Sequence, residues 1–405
     1  MKKTLINLLS DNNMHIITAV ELEEHGRVVV LRKKGHGWDG LAKSLEKIMG
    51  EERPLEYVFY DESIEVADVL ATFDPKNTIV NVSHGQSRER AVLGWAAAYL
   101  GFEAIYLSYS EKTMYRLNPY ECQDRDLRDP SEKSRGEAGR VSGMVEFIEV
   151  TPVEFPEMDI EDIIDTTGGD IIQTNSELYS SKEVNLMLDV FFRENYYVKV
   201  KQWMKQTWRY ITDTSDKCFL GVKTDGLSNF DRGNLFKFFR ELERRNCIKN
   251  LKSEVGKLTF QCSSGEFRRF ITQSGSWLEA LTFRTLKEIP DVDDIEGGVQ
   301  YMWDVGRPDL INELDVLASK ESRLILISCK DTRNIDTPML NEIEIYSANL
   351  GGGNALKILV VTTEDPLEGA RARAKEMDIH IIEFNGDLRA FRRDLERIIN
   401  FGANS

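Results

Sequence analysis

The chain has 405 residues, 41% of them hydrophobic, and a net charge of −16. That fits two or three globular domains and excludes a general nucleic-acid coat protein. No apolar run is long enough to cross a bilayer, and the stretch after Met1-Lys2-Lys3 breaks at Ser10-Asp11-Asn12-Asn13, so the start does not read as a signal peptide. Cys122, Cys218, Cys247, Cys262 and Cys329 form no CxxC pair, which argues against a zinc site or a disulfide framework and for a reducing cytoplasm.

Residues 1 to about 110 alternate strand and helix patterns. Leu5–Leu9, Arg27–Leu31, Tyr57–Tyr60, Thr78–Val82 and Ala104–Leu107 read as strands; Met14–Glu24, Leu41–Met49 and Glu89–Leu100 read as helices. Such alternation predicts a parallel sheet covered on both faces, with ligands at the carboxyl ends of its strands. Two polar loops stand there. Ser10, Asp11, Asn12 and Asn13 follow the first strand, and Asn81, Ser83, His84, Gly85, Gln86, Ser87 and Arg88 lead into the Glu89 helix. Small polar residues and a glycine before a helix let backbone N–H groups approach a phosphate. Ordinary N-capped loops have the same appearance.

Asp124–Arg140 is dense in charge and reads as a solvated loop, Glu146–Val153 as a strand, and Thr166-Thr167-Gly168-Gly169-Asp170 as a turn. A boundary is expected near residue 155. Residues 181–260 carry 16 Lys or Arg against 10 Asp or Glu, and Lys199–Tyr210 interleaves basic and aromatic side chains. This suits contact with a phosphate backbone and stacking on bases; a solvated helix face with inward aromatics is the alternative. Strand Phe219–Lys223, helix Gly233–Asn246 and strand Leu258–Cys262 are compatible with a winged-helix module.

From residue 275 the pattern is helix Trp277–Ile289, strand Val299–Val305, strand Asn312–Leu317, a polar turn at Ser319–Ser322, and strand Leu324–Lys330. Helix Pro338–Leu350, strand Lys357–Thr362, helix Leu367–Met377, strand His380–Phe384 and helix Leu388–Phe401 follow. A period of two puts Glu313 and Asp315 on one face, and Ser328 and Lys330 on one face with Cys329 turned away. Two carboxylates and a lysine on adjacent strands are what a protein needs to hold a divalent cation and a water against a phosphate.

This order of elements over residues 270–400 resembles the restriction-endonuclease-like superfamily, the PD-(D/E)xK nucleases. The resemblance implies a catalytic set of Glu279, Glu313, Asp315 and Lys330. Glu279 is the helical acid, Asp315 the strand acid and Lys330 the lysine. Mg2+ or Mn2+ would lie on Glu279, Asp315 and the Cys329 backbone carbonyl. Ser328 departs from the pattern, which has an acid two residues before the lysine. Pro308-Asp309 spells half of the motif name but precedes the strand. An inactive nuclease fold and a plain surface carboxylate cluster are the bland alternatives.

With a nuclease behind it, the Asn81-x-Ser83-x-Gly85 pattern is similar to the ligand loop of CARF domains, Rossmann-like sensors of cyclic oligoadenylates in type III CRISPR defence. The resemblance implies that Ser10–Asn13 and His84–Arg88 line a second-messenger pocket in a homodimer, with His84 a contact residue. The sequence therefore predicts an α/β chain: a CARF-like sensor over 1–155, a linker and winged-helix-like module over 156–268, and a restriction-endonuclease-like domain over 269–405. The function this implies is a metal-dependent endonuclease, activated by cyclic tetra-adenylate, that cuts single-stranded DNA, RNA or both, or nicks DNA. The alternatives are a ligand-responsive nucleic-acid-binding regulator with an inactive nuclease fold, and a nuclease needing no messenger.

Overall fold

A computed structural model describes residues 2–10, 13–35, 38–85, 87–109, 111–117, 148–193, 196, 218–273, 275–302, 311–332, 335–351, 355–362 and 368–401. The N-terminal part runs β1 (Lys3–Leu8), α1 (Met14–Leu22), β2 (His25–Lys33), α2 (Asp39–Met49), β3 (Leu55–Tyr60), α3 (Glu65–Leu70), β4 (Thr78–Asn81), α4 (Ser87–Leu100), β5 (Glu103–Ser108), β6 (Thr113–Leu117) and β7 (Ile148–Pro152). These strands form one sheet in the order β3-β2-β1-β4-β5-β6-β7. The first five are parallel and the last two antiparallel. Val28 to Leu31 are all buried, the near-continuous apolar run of a strand covered on both faces. The sequence pattern did not separate α3 or β6 from their loops.

Next come α5 (Ile160–Asp165), β8 (Asp170–Gln173), α6 (Ser176–Ser180), α7 (Lys182–Phe192), β9 (Phe219–Lys223), α8 (Asn229–Arg244), β10 (Ile248–Glu254), β11 (Lys257–Cys262) and α9 (Gly265–Thr272). β10-β11-β9 make a small antiparallel sheet, with Phe238 and Phe239 of α8 in its core beside Phe260. The basic run Lys199–Tyr210, the charged stretch Asp124–Arg140 and Pro308-Asp309 lie outside the described residues.

The last part is α10 (Ser276–Leu286), β12 (Asp294–Met302), β13 (Ile311–Lys320), β14 (Arg323–Lys330), α11 (Thr337–Leu350), β15 (Leu356–Val361), α12 (Glu368–Glu376), β16 (Ile379–Glu383) and α13 (Leu388–Phe401). Its sheet has the order β16-β15-β14-β13-β12-β8. β8 to β14 pair antiparallel, and β14 to β16 parallel. β8 arrives from residues 170–173, well before the boundary expected at 269, because an edge strand only needs a neighbour with unpaired backbone groups. α11 starts where Asp336 accepts a hydrogen bond from the Met339 N–H at 3.1 Å and Pro338 occupies the first turn.

The strands of the β13–β14 hairpin run longer than the sequence predicts, through Lys320 and from Arg323, so the turn is only Glu321 and Ser322. Both sit at positive φ, 49° and 61°, as a two-residue hairpin turn requires. The turn is planted against the N-terminal part. Ser322 Oγ donates to the Pro156 carbonyl, and Lys112 pairs with Glu321 at 2.5 Å. One buried cluster accordingly holds Leu5, Met14 and Ile105 together with Leu326, Leu340 and Leu359. Among the described residues, no helix is long and apolar enough to cross a membrane.

Leu326 is 1% exposed in that shared cluster. Leu326→Ala should therefore lower the unfolding free energy by about 2–5 kcal/mol in chemical denaturation. A loss below about 1 kcal/mol would mean that the cluster is not a packed core.

Candidate functional site

Glu279 lies in the first turn of α10 and is 8% exposed. A buried carboxylate needs donors, and Tyr179 of α6 supplies one: its hydroxyl donates to Glu279 Oε2 at 2.5 Å. The Tyr179 ring meets Phe283 and Phe270 edge-on, with centroids 5.8 and 6.2 Å apart. It also lies over Gly297, where a Cβ would come within 2.5 Å of the ring. Glycine at 297 is therefore what admits the phenol to the site.

Asp315 of β13 and Lys330 of β14 complete the group. Asp315 Oδ2 accepts from the Cys329 N–H at 2.6 Å and from Ser328 Oγ at 3.1 Å, and Lys330 Nζ stands 3.7 Å away. The Cys329 thiol turns the other way and donates to Thr282 Oγ1 on α10 at 3.4 Å. Burial and then the Asp315 charge push it well above the ordinary cysteine range, so it is an inert wall.

Burial, then the charge of Asp315, raises the Glu279 carboxyl well above the usual carboxylate range. Burial raises Asp315 too, against the opposing pull of Lys330 and its two hydrogen-bond donors. Burial pulls the Lys330 ammonium down, but the Asp315 and Glu342 carboxylates more than offset this, and its pKa ends above the ordinary lysine value. Glu313, on the exposed part of β13, also adds to the negative field at Glu279.

Two buried carboxylates repelling each other are hard oxygen donors that a divalent cation would relieve, so the donor set fits Mg2+ or Mn2+. Among the described residues, no three His, Cys, Asp or Glu side chains converge closely enough to hold an ion by themselves. Water would therefore make up much of the shell, as suits these ions.

The sensor loops show a different economy. Asn81 is fully buried and committed inward. It donates to Asn7 Oδ1 at 2.9 Å and to the His15 carbonyl at 3.0 Å, and its Oδ1 accepts from the Ser83 N–H at 3.0 Å. Ser83 Oγ donates to Asn81 and accepts from the Leu107 N–H. These two side chains brace the loop from within. Asn13 accepts from the Ser10 N–H at 2.9 Å and donates to the Thr166 carbonyl at 3.2 Å. Gly85 has φ +129°, and a Cβ there would meet Leu8 at 2.4 Å.

Ser10 Oγ and His84 Nδ1 lie 3.1 Å apart, and His84 stacks on His15 with ring centroids 5.1 Å apart. His15, which the sequence did not single out, stands with His84 around a cavity of about 10 Å3 closed by Ser322, Arg323 and Gly351 of the C-terminal part. The Arg88 side chain is exposed. Asp11, Asn12 and Gln86 lie outside the described residues.

The sequence missed three side chains at the C-terminal site: Tyr179, Glu342 and Tyr346. Nothing local marks Tyr179, a hundred residues before its partner. Glu342 and Tyr346 do leave a signal, since they stand four apart on the helix that follows Lys330 and so share its face.

Residues 264–399 match the family model of the Card1-like endonuclease domain. Over the whole chain the fold is similar to that of protein VC1899 from Vibrio cholerae, with a TM-score of 0.68, 16% identity, and coverage of 100% of this chain and 99% of that one. It is also similar to Can2 from Sulfobacillus thermosulfidooxidans, whose structure is a complex with cyclic tetra-adenylate. There the TM-score is 0.62 at 16% identity, over 98% of this chain and 99% of that one. No curated protein matches. The expected α/β architecture is thus that of these two structures.

The Tyr179–Glu279 bond makes a measurable claim. A double-mutant cycle of Tyr179→Phe and Glu279→Gln in urea denaturation should give a coupling of about 1 kcal/mol or more. Additive effects would show that the phenol does not hold the carboxylate.

Proposed function

We propose that this chain, which carries a Card1-like endonuclease domain over residues 264–399, is a metal-dependent nuclease of type III CRISPR defence switched by a cyclic oligoadenylate. The observation that carries the reading is the meeting of Glu279, Asp315 and Lys330 at one site, with Lys330 Nζ 3.7 Å from Asp315. Glu279 and Asp315 would hold Mg2+ or Mn2+, with the Cys329 carbonyl as a further donor. When bound, the ion supplies a Lewis acid and a water of lowered pKa. Lys330 offsets charge developing on the scissile phosphate. Tyr179 keeps Glu279 aimed, and Ser328 and the Cys329 N–H keep Asp315 aimed.

The activator in this reading is cyclic tetra-adenylate, the ligand of the Can2 structure. Ser10, Asn13, His84, Gly85, Ser87 and Arg88, with Asp11, Asn12 and Gln86, would receive it. His15 joins them through its stack on His84. A homodimer would present these loops twice to a symmetric ring. The hairpin turn at Glu321-Ser322 lies beside His15 and His84, which supports transmission of ligand binding to the strands that bear Asp315 and Lys330.

Ser328 favours one competing reading, a ligand-responsive nucleic-acid-binding protein with an inactive nuclease fold. The deciding experiment incubates the pure chain with labelled single-stranded DNA and RNA in Mn2+, with and without cyclic tetra-adenylate. Cleavage should need both the ion and the ligand, and Glu279→Ala, Asp315→Ala and Lys330→Ala should each lower it by at least about 100-fold. Binding without cleavage under every condition would favour the competitor. Cleavage independent of any nucleotide would remove the sensor from the reading.

A further inference from the structure

The site lacks a carboxylate at the strand position two residues before its lysine, and the structure shows what stands near. Ser328 cannot serve in its place. Its hydroxyl is buried and donates to Asp315, and a neutral oxygen is a weak partner for a hard divalent ion. A different acid enters from the helix. Glu342, on the second turn of α11, places Oε2 3.6 Å from Lys330 Nζ. The ammonium therefore lies between Asp315 and Glu342, at nearly equal distances from the two.

Glu342 is also oriented. Tyr346, one helical turn on, donates its hydroxyl to Glu342 Oε1 at 3.2 Å. The Tyr346 ring in turn stands edge-on to the fully buried Tyr301 of β12, with centroids 6.2 Å apart. A surface glutamate serving only solubility needs no such support. The side chain is 42% exposed, open enough for an incoming phosphate and its ion to reach.

We propose that Glu342 is a relocated metal-site acid: it supplies, from the helix after the lysine strand, the carboxylate that Ser328 does not. The inference rests on the metallonuclease reading. In it Glu342 exchanges its contact with Lys330 for the ion, and Lys330 is released toward the phosphate. Charge count is kept, since one helical carboxylate replaces one strand carboxylate.

The test is Mn2+ binding to the full-length chain by titration calorimetry, a readout independent of cleavage. Glu342→Gln should weaken Mn2+ by about 10- to 100-fold. Adding Ser328→Glu to Glu342→Gln should restore most of that loss by putting the acid back on the strand; Ser328→Asp takes its place where the longer side chain does not fold. Thermal melts confirm folding of each variant. An unchanged affinity in Glu342→Gln, with Asp315→Asn strongly weakened, would overturn the relocation and leave the metal site standing. A loss in Glu342→Gln that neither strand acid restores would also overturn it, because Glu342 would then act only as a clamp on Lys330. An unchanged affinity in Asp315→Asn would remove the metal site itself.

Discussion

The β13–β14 hairpin is the constraint on which both ends of the molecule depend. Its ladder pairs Val316 with Ile327 and continues to Lys320 with Arg323. That register sets Asp315 against Ser328 and the Cys329 N–H at one end and the Glu321-Ser322 turn against the sensor loops at the other. A slip of one residue would turn Asp315 and Lys330 to opposite faces. The turn also resists slipping, because Lys112 holds Glu321, and Asp293 accepts from its N–H at 2.5 Å.

Charge at the site is arranged with equal economy. Burying Glu279 beside Asp315 is unfavourable. The Tyr179 hydroxyl, the Cys329 N–H and the Lys330 ammonium each offset part of that cost. The result is a negative pocket whose members are held in place by groups that do not themselves react. Apolar packing does the rest: Trp277, Phe283 and Phe384 join α10 to its sheet, so the helix that bears Glu279 has little freedom to tilt. Preorganisation of this kind lets a site stabilise developing charge without rearranging at the moment of reaction.

Much of this was legible in the sequence because strands and helices here obey simple periods. The apolar runs at Leu5–Leu9 and Leu324–Lys330 gave strands close to those observed, and α13 was read to the residue. Glu279, Asp315 and Lys330 could be chosen by chemistry and spacing alone. What could not be read was tertiary. Asn81 looks like a ligand residue in the chain, yet folding turns it inward onto Asn7 and His15. Tyr179 reaches Glu279 only because Gly297 lacks a side chain, a contact that no local pattern encodes. α3 and β6 are short, and their stability comes from neighbours rather than from propensity.

The winding of β8 and α6 into the C-terminal sheet makes the chain's order and its architecture disagree. The stretch 264–399 looks self-contained along the sequence, but cut out as a fragment it would leave β12 with a bare edge and Glu279 without its phenol. A bare edge strand invites pairing with another chain, so such a fragment would aggregate where the whole protein does not. The smallest piece that keeps the site intact begins before Asp170 and therefore carries the small β9–β11 module with it, which ties that module's inheritance to the nuclease.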